Sequence, residues 1–402
     1  MRLCSLFVLS LFFFISKLEG QCQRQLALNK FRTNYLANQL TLAEVNWTGD
    51  ISMCKSGEIS RSAEAKTLKM IHYFRELCGL PAAIEWDTVY NRKAQEAALM
   101  MLVNNDLSHD PPATWMCYTD AGKEGASKSN LALGYHTTQA ITAYMADYGE
   151  SNYAVGHRRW ILFPRAKYFG LGSTSRSQAL WVIGRTGTDP KPAFVAYPAP
   201  GFFPKPLVYP RWSFSKDGAD FSQATVNMTD GSHQSLALKI LPIEKGFGSN
   251  TLVWEPVIPG VWLSDQVDRK ITVTLDNVMA GGQSLSYSYE VNIIAIRDQP
   301  TCEAGYIYDG CQCSSTITTS KDQEISGPQI RLLGNPVGNR LHIEGIPERS
   351  SLVEIRTLAG QLVWQFRPLS SSLDNPLYIP SGVYILLVHS HHHIFHVRFI
   401  KM

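Results

Sequence analysis

The chain has little charge for its length and almost no excess of one sign. Across 402 residues, charged side chains make up 18% and the formal net charge is +3. So small an excess leaves no electrostatic footprint for nucleic acid or an anionic membrane surface. Long apolar runs are also missing. Past the N-terminus no stretch reaches the roughly 18 apolar residues that a membrane helix needs, so no transmembrane helix is expected. No Gly-x-Ser-x-Gly elbow is present to suggest a serine hydrolase. Ser108-His109-Asp110 is not a triad either, because three adjacent residues cannot all converge on one point. Cys311-x-Cys313 has no second pair to complete a zinc site, which makes a disulfide the better expectation.

What the chain does have is apolar material, 45% of residues, a proportion typical of folded protein. Its length suggests two to three domains. Arg2 precedes an apolar run from Leu6 to Ile15 and a small residue, Gly20, so residues 1–20 read as a secretory signal. The expected location is therefore secreted or on the outer cell surface. Eight cysteines suit an oxidising compartment. Without Cys4 the remaining number is odd, which implies at least one free thiol or an intermolecular bond. Cys22 with Cys54 is the first expected bridge, and Cys302 with Cys311 or Cys313 the second.

Residues 21–61 are poorly periodic and read as a lead-in. Ser62 then caps a helix with Ala65, Leu68, Ile71 and Phe74 at helical spacing, stopped by Gly79 and Pro81. A second helix from Asp87 buries Val89, Ala94, Ala97, Ala98, Met101 and Leu102, and its alanines imply close approach to a neighbour. Thr138 caps a third that runs through Tyr148 to Gly149. Strands follow at 168–172 and 179–184, giving an α+β domain over 62–184. From 190 the prolines exclude helix. Regularly spaced strands at 211–215, 224–228, 235–240, 251–254, 270–275 and 284–296 suggest a β-sandwich over 190–298, with turns at Asp230-Gly231 and Gly281-Gly282. Residues 299–329 read as a linker, and 330–402 as a small, separate β domain. The histidines from His389 to His396 fit a hairpin tip better than a metal site.

The stretch from Leu107 to Pro164 carries the chemistry. His109 and His157 each stand beside turn-forming or small residues, so two distant loops can present imidazoles to one cleft. Arg158-Arg159 reads as a surface pair beside a buried Trp160. These motifs, with Gly79-Leu80-Pro81, Leu107-Ser108-His109, Ser129-Asn130-Leu131-Ala132 and Gly156-His157-Arg158-Arg159-Trp160, resemble the CAP superfamily, in its bacterial branch. The resemblance covers 62–184. It implies an α-β-α sandwich with a cleft built on two His and two Glu, in which His109 and His157 take the histidine positions. Ser129 stands where many relatives carry glutamate, and Asp147 is the shorter acid at the second position; Ser129 and Asn130 fall at the cleft.

The C-terminal motifs Asn335-Pro336, Leu358-Ala359-Gly360-Gln361 and Gly382-Val383-Tyr384 resemble the type A sorting domain of type IX secretion in Bacteroidota. That implies the type IX machinery as a partner through 330–402. Three functions are open on this reading. The cleft binds a lipid, peptide or cell-surface ligand, with a divalent metal such as Zn²⁺ held by His109 and His157 as an option. Alternatively it is a weak metal-dependent hydrolase using His109, His157 and Asp147. In the third, residues 200–298 form a structural adhesin and the cleft is vestigial.

Overall fold

A computed structural model describes residues 22–188 and 191–296, then 306–308, 313–315, 331–332, 340–344, 352–357, 362–366, 372–376, 379, 382–389 and 394–401. The signal sequence read at 1–20 lies outside them. Two compact units emerge, Met1–Ile317 and Thr318–Met402.

The first unit begins with a helical stretch, 22–30, that continues through a π turn, Phe31–Tyr35. Weak periodicity suggested a loose lead-in, yet Leu28, Phe31 and Tyr35 are buried. Arg24 Nε also donates to Asp268 Oδ2 at 2.6 Å. Helix α1 (Arg61–Leu77) is capped by Ser60, whose Oγ accepts from the Ala63 N–H at 3.1 Å, rather than by Ser62. Both serines suit a cap, but Ser60 has the extended backbone that the position requires.

Helix α2 (Thr88–Asn104) starts from the Asp87 cap as expected. Its buried stripe runs Ala94, Ala97, Ala98, Met101. Val89 falls off that stripe and is 49% exposed, contrary to expectation. Helix α3 (Asp120–Ser127) carries almost no apolar side chains and leaves no periodic signal in the sequence. Helix α4 (Thr137–Ala146) is preceded by His136 in the cap position, two residues ahead of the expected Thr138, and stops at Asp147, which adopts the left-handed conformation. The short segment expected at Trp160 is a helix, α5 (Gly156–Ile161).

Four strands, β1 (Glu85–Trp86), β2 (Ser129–Leu133), β3 (Tyr168–Ser173) and β4 (Ser177–Trp181), form a sheet in the order β1-β3-β4-β2. Alternation along the strands gives it two apolar faces. Phe169, Leu171 and Leu180 join Met70 and Ile71 of α1 and Ile141 and Met145 of α4. Leu131, Ala179 and Trp181 join the alanines of α2. The close approach that those alanines implied is visible at Gly172, where a Cβ would lie 2.1 Å from the Ala94 carbonyl carbon.

The second half of this unit has two four-stranded sheets. One is β5 (Val195–Tyr197), β7 (Trp212–Ser215), β10 (Thr251–Pro256) and β9 (Leu238–Ile240); the other is β6 (Gly201–Pro204), β12 (Gln283–Ile294), β11 (Arg269–Ala280) and β8 (Thr225–Asp230). Gly281 and Gly282, at φ +57° and +77°, join β11 to β12 by the two-residue turn their sequence predicts. The apolar cluster of α1 and α4 runs without a break into Tyr197, Trp212, Phe214 and Trp254.

In the second unit, strands form a three-stranded and a four-stranded sheet. Leu341 and Ile343 of the first share one apolar cluster with Val353, Ile355, Leu386 and Phe399 of the second. His389 pairs with Ile394 at the end of a hairpin, and the histidines between them lie outside the described residues. So do the expected motifs at 335–339 and 358–361. No helix among the described residues is long and apolar enough to cross a membrane.

The cysteines pair differently from expectation. Cys54 bonds Cys117, with Cα atoms 5.2 Å apart and a sequence separation of 63. The Asp50–Lys55 turn lies against the 117 loop, which the sequence alone could not place. Cys22 is also disulfide-bonded, so its partner is not Cys54. The expected pairing of Cys302 with Cys311 or Cys313 falls on residues whose side chains are not described. Cys78 is a free, buried thiol whose pKa burial pushes up to about 12, against the opposing pull of Arg158 and Arg75. A raised thiol pKa keeps the thiolate scarce at pH 8. Cys78 should therefore resist iodoacetamide in the folded protein and react on unfolding in urea, as peptide mass mapping would report; labelling of Cys78 under native conditions would contradict this packing.

Candidate functional site

Asp147 is where the site is built. It ends α4 in a left-handed turn and is 1% exposed. Its carboxylate crosses to the start of α5, where Oδ2 accepts from the backbone N–H of His157 at 3.0 Å and of Arg158 at 3.4 Å. Val155, the residue in the cap position of α5, provides no side-chain cap and sits at φ +46°. Asp147 thus satisfies from a distance the amides that a local cap would ordinarily hold. Its Oδ1 accepts from Nδ1 of His157 at 2.7 Å. A carboxylate only accepts, so neutral His157 carries its proton on Nδ1 and keeps an open lone pair on Nε2.

The His157 ring stacks on Tyr144 with centroids 5.3 Å apart. Tyr144 is buried and its hydroxyl donates to the carbonyls of Asn130 and Gln178. Burial, and then the Asp147 charge, hold its pKa well above the usual phenol value, so it remains a neutral donor. Asn130 Nδ2 donates to the His157 carbonyl at 3.0 Å. His109, from the loop after α2, places Nδ1 at 3.0 Å from the Ala126 carbonyl at the end of α3. A carbonyl likewise only accepts, so His109 has the same tautomer and leaves Nε2 over.

Both histidines line one cavity of about 370 Å³. Ser129, Asn130, Ser151 and Asn152 give it polar walls, while Trp160, Ile183 and Phe247 give it apolar ones. Asp147 lies behind His157 and does not line it.

Residues 68–183, which hold both histidines and the acid behind one of them, match the family model described as CAP, the cysteine-rich secretory protein family. The segment is a CAP domain. No curated protein matches the chain. Among solved structures, that of the amphioxus IgVJ-C2 molecule aligns at 11% identity over 48% of this chain and 96% of its own, with a TM-score of 0.14. A likeness at that score says nothing about the fold.

Within the CAP domain, the four residues expected at the cleft divide by what their polar atoms do. His109 and His157 line the cavity with Nδ1 already engaged, which leaves Nε2 as the nitrogen to spare. Ser129, at the position where the resemblance puts a glutamate, donates its hydroxyl to the Gly125 carbonyl at 2.6 Å, and Asn130 is engaged with His157. These two shape the wall and hold the neighbouring main chain. Zinc fits this set poorly. A catalytic zinc takes three protein ligands and a water, and the cavity offers two imidazoles. The third candidate, Asp147, has both oxygens on His157 and the α5 amides. Among the described residues, no three His, Cys, Asp or Glu side chains gather to hold a metal.

The arginines correct another expectation. Arg158 and Arg159 are buried, at 0% and 5% exposure, while Trp160 is only partly covered and lines the cavity. Arg158 donates to the carbonyls of Met145, Ala146 and Arg211 and lies 4.3 Å from the Tyr197 ring centroid. Arg159 donates to the carbonyls of Glu244 and Ser249, both at 3.0 Å, and lies over Phe247. Burial lowers the pKa of Arg159 to about 10, which still leaves it a cation at neutral pH.

The partners of Arg159 sit in the 244–249 segment of the second half, and that segment carries Phe247 onto the cavity. Sequence reasoning assigned residues 190–298 to support and missed this contribution; the signal available was the pair of glycines, Gly246 and Gly248, around an aromatic. Replacing Arg159 by Leu should remove two main-chain anchors of the 244–249 segment, leaving the side-chain bonds of Glu244 to Tyr153 and of Ser249 to Asp217 on that segment's flanks. Its amides should then exchange with deuterium at least tenfold faster while β11 and β12 keep their protection; unchanged exchange at 244–249 would remove Arg159 from this role.

Proposed function

We propose that this is a secreted or cell-surface CAP-domain protein whose cleft binds a ligand through the Nε2 atoms of His109 and His157. The observation that carries the reading is that both residues line one cavity and both rings are held by Nδ1, from Ala126 and Asp147, which leaves each Nε2 for a ligand. Fixing two ring orientations in advance lowers the ordering cost of binding. The finer parts of the proposal are the α-β-α sandwich of the CAP family over 62–184, a β-sandwich over 190–298, and a sorting domain over 330–402. That last domain would hand the chain to type IX secretion and leave the rest at the outer surface. The adhesin reading loses ground because the second half supplies a wall of the cleft as well as strands.

Crystals soaked with a set of polar aromatic fragments test the proposal. Density should collect between His109 and His157, and His109→Ala and His157→Ala should each lose it while keeping the circular dichroism of the parent. Fragments that settle elsewhere, or that ignore both substitutions, would contradict it.

A hydrolytic reading has one observation in its favour: the Asp147–His157 pair, which leaves Nε2 placed as a general base towards water. On that reading p-nitrophenyl acetate is turned over faster than by free imidazole. His157→Gln then removes the excess, Asp147→Asn lowers it about 10-fold or more through loss of orientation, and EDTA leaves it unchanged. A wild-type rate equal to the imidazole background would sink it.

A further inference from the structure

The groove does not end at the histidines. Trp160 and Ile183 line their cavity and also a second one of about 290 Å³. The same segment of the second half borders both, with Gly246 and Phe247 on the first and Gly248 on the second. No carboxylate lines either cavity, and Arg165 and Arg185 line the second. Aromatic rings support both guanidiniums: Arg165 lies 5.0 Å from the Phe163 centroid and Arg185 4.4 Å from that of Tyr168. Their backbones are tied together, with the Gly187 N–H donating to the Arg165 carbonyl at 2.8 Å and Ala166 bridged to Thr186. Asp87 pairs with Arg185 at 2.7 Å and Asp217 lies 3.8 Å from Arg165. With five N–H donors on each guanidinium, these contacts leave donors for a ligand.

We propose that the two cavities form one groove for an oligosaccharide that carries uronic carboxylates. This deepens the reading of the histidine cleft as a ligand site and rests on it. Sugar rings would lie on the faces of Trp160 and Phe247, where a flat, partly apolar group matches an aromatic side chain. Hydroxyls would meet Asn152 and the two Nε2 atoms, and a carboxylate would meet Arg165 and Arg185. Neutral hydrogen-bonding side chains interleaved with aromatic faces favour such rings over an acidic peptide.

Calorimetry on the full chain with trigalacturonic acid, its methyl ester and a triglutamate peptide tests this. The acid trisaccharide should bind and change Trp160 fluorescence. The methyl ester, and the acid against the Arg165→Ala/Arg185→Ala variant, should each bind at least 10-fold more weakly, and triglutamate more weakly still. Because both arginines lie at the surface, circular dichroism of the variant should match the parent. No binding of the acid trisaccharide, or binding indifferent to the arginine pair, overturns the proposal; triglutamate binding as tightly replaces the sugar by a peptide. If the arginine variant loses the acid but His109→Ala and His157→Ala do not, the histidine reading fails separately. The reverse pattern removes only the extension past Trp160.

Discussion

The buried carboxylate of Asp147 is the constraint on which the site depends. Helix α5 has six residues, too short to persist alone. Its N-terminal amides are satisfied by Asp147, and its C-terminal carbonyl at Ile161 accepts from Arg75 of α1 at 2.9 Å. Held at both ends, α5 can tolerate Val155 in a left-handed conformation, which costs a β-branched residue about 1–2 kcal/mol. Charge-assisted hydrogen bonds of the Asp147 kind contribute about 1.5–3 kcal/mol each, enough to offset that strain. The result is one rigid turn that sends His157 and Trp160 one way and Arg158 and Arg159 the other.

Those directions explain the architecture around the cleft. His157 and Trp160 face the cavity. Arg158 and Arg159 face inward and donate to main-chain carbonyls of the second half, so the CAP domain and the two β-sheets beside it share an apolar cluster and a polar seam. Arg211 reinforces the seam by donating to the Asp147 carbonyl at 2.8 Å while pairing with Glu255. Buried guanidiniums are costly unless their N–H groups are met. Meeting them with backbone carbonyls makes the seam sensitive to the position of the main chain, and it is this that seats Phe247 over the cavity.

Much of the fold was legible where side-chain pattern and backbone geometry agree. The alanines of α2 foretold its contact with the sheet, and Gly281-Gly282 foretold the β11–β12 turn. The two histidines drew notice in the sequence because each stands apart from an apolar run. What was not legible depends on contacts distant in sequence. Asp147 reads as a shortened family acid facing the cleft, whereas it lies behind His157 and acts through it. Adjacent arginines read as surface charge because nothing local reveals that three carbonyls and an aromatic ring await Arg158. Helix α3 escaped because Asp-Ala-Gly-Lys-Glu-Gly-Ala-Ser has small residues where a periodic apolar face would be, and Cys54 could not be matched to Cys117 without the loop that brings them together.

The most direct measurement is the ¹⁵N–¹H spectrum of the histidine side chains at a pH where the rings are neutral. Here His157 and His109 should both appear as the Nδ1–H tautomer, with the His157 Nδ1 proton far downfield from its bond to Asp147 and an unprotonated Nε2 signal for each ring. An Nε2–H tautomer for either histidine, or a His157 spectrum that Asp147→Asn leaves untouched, would contradict the account.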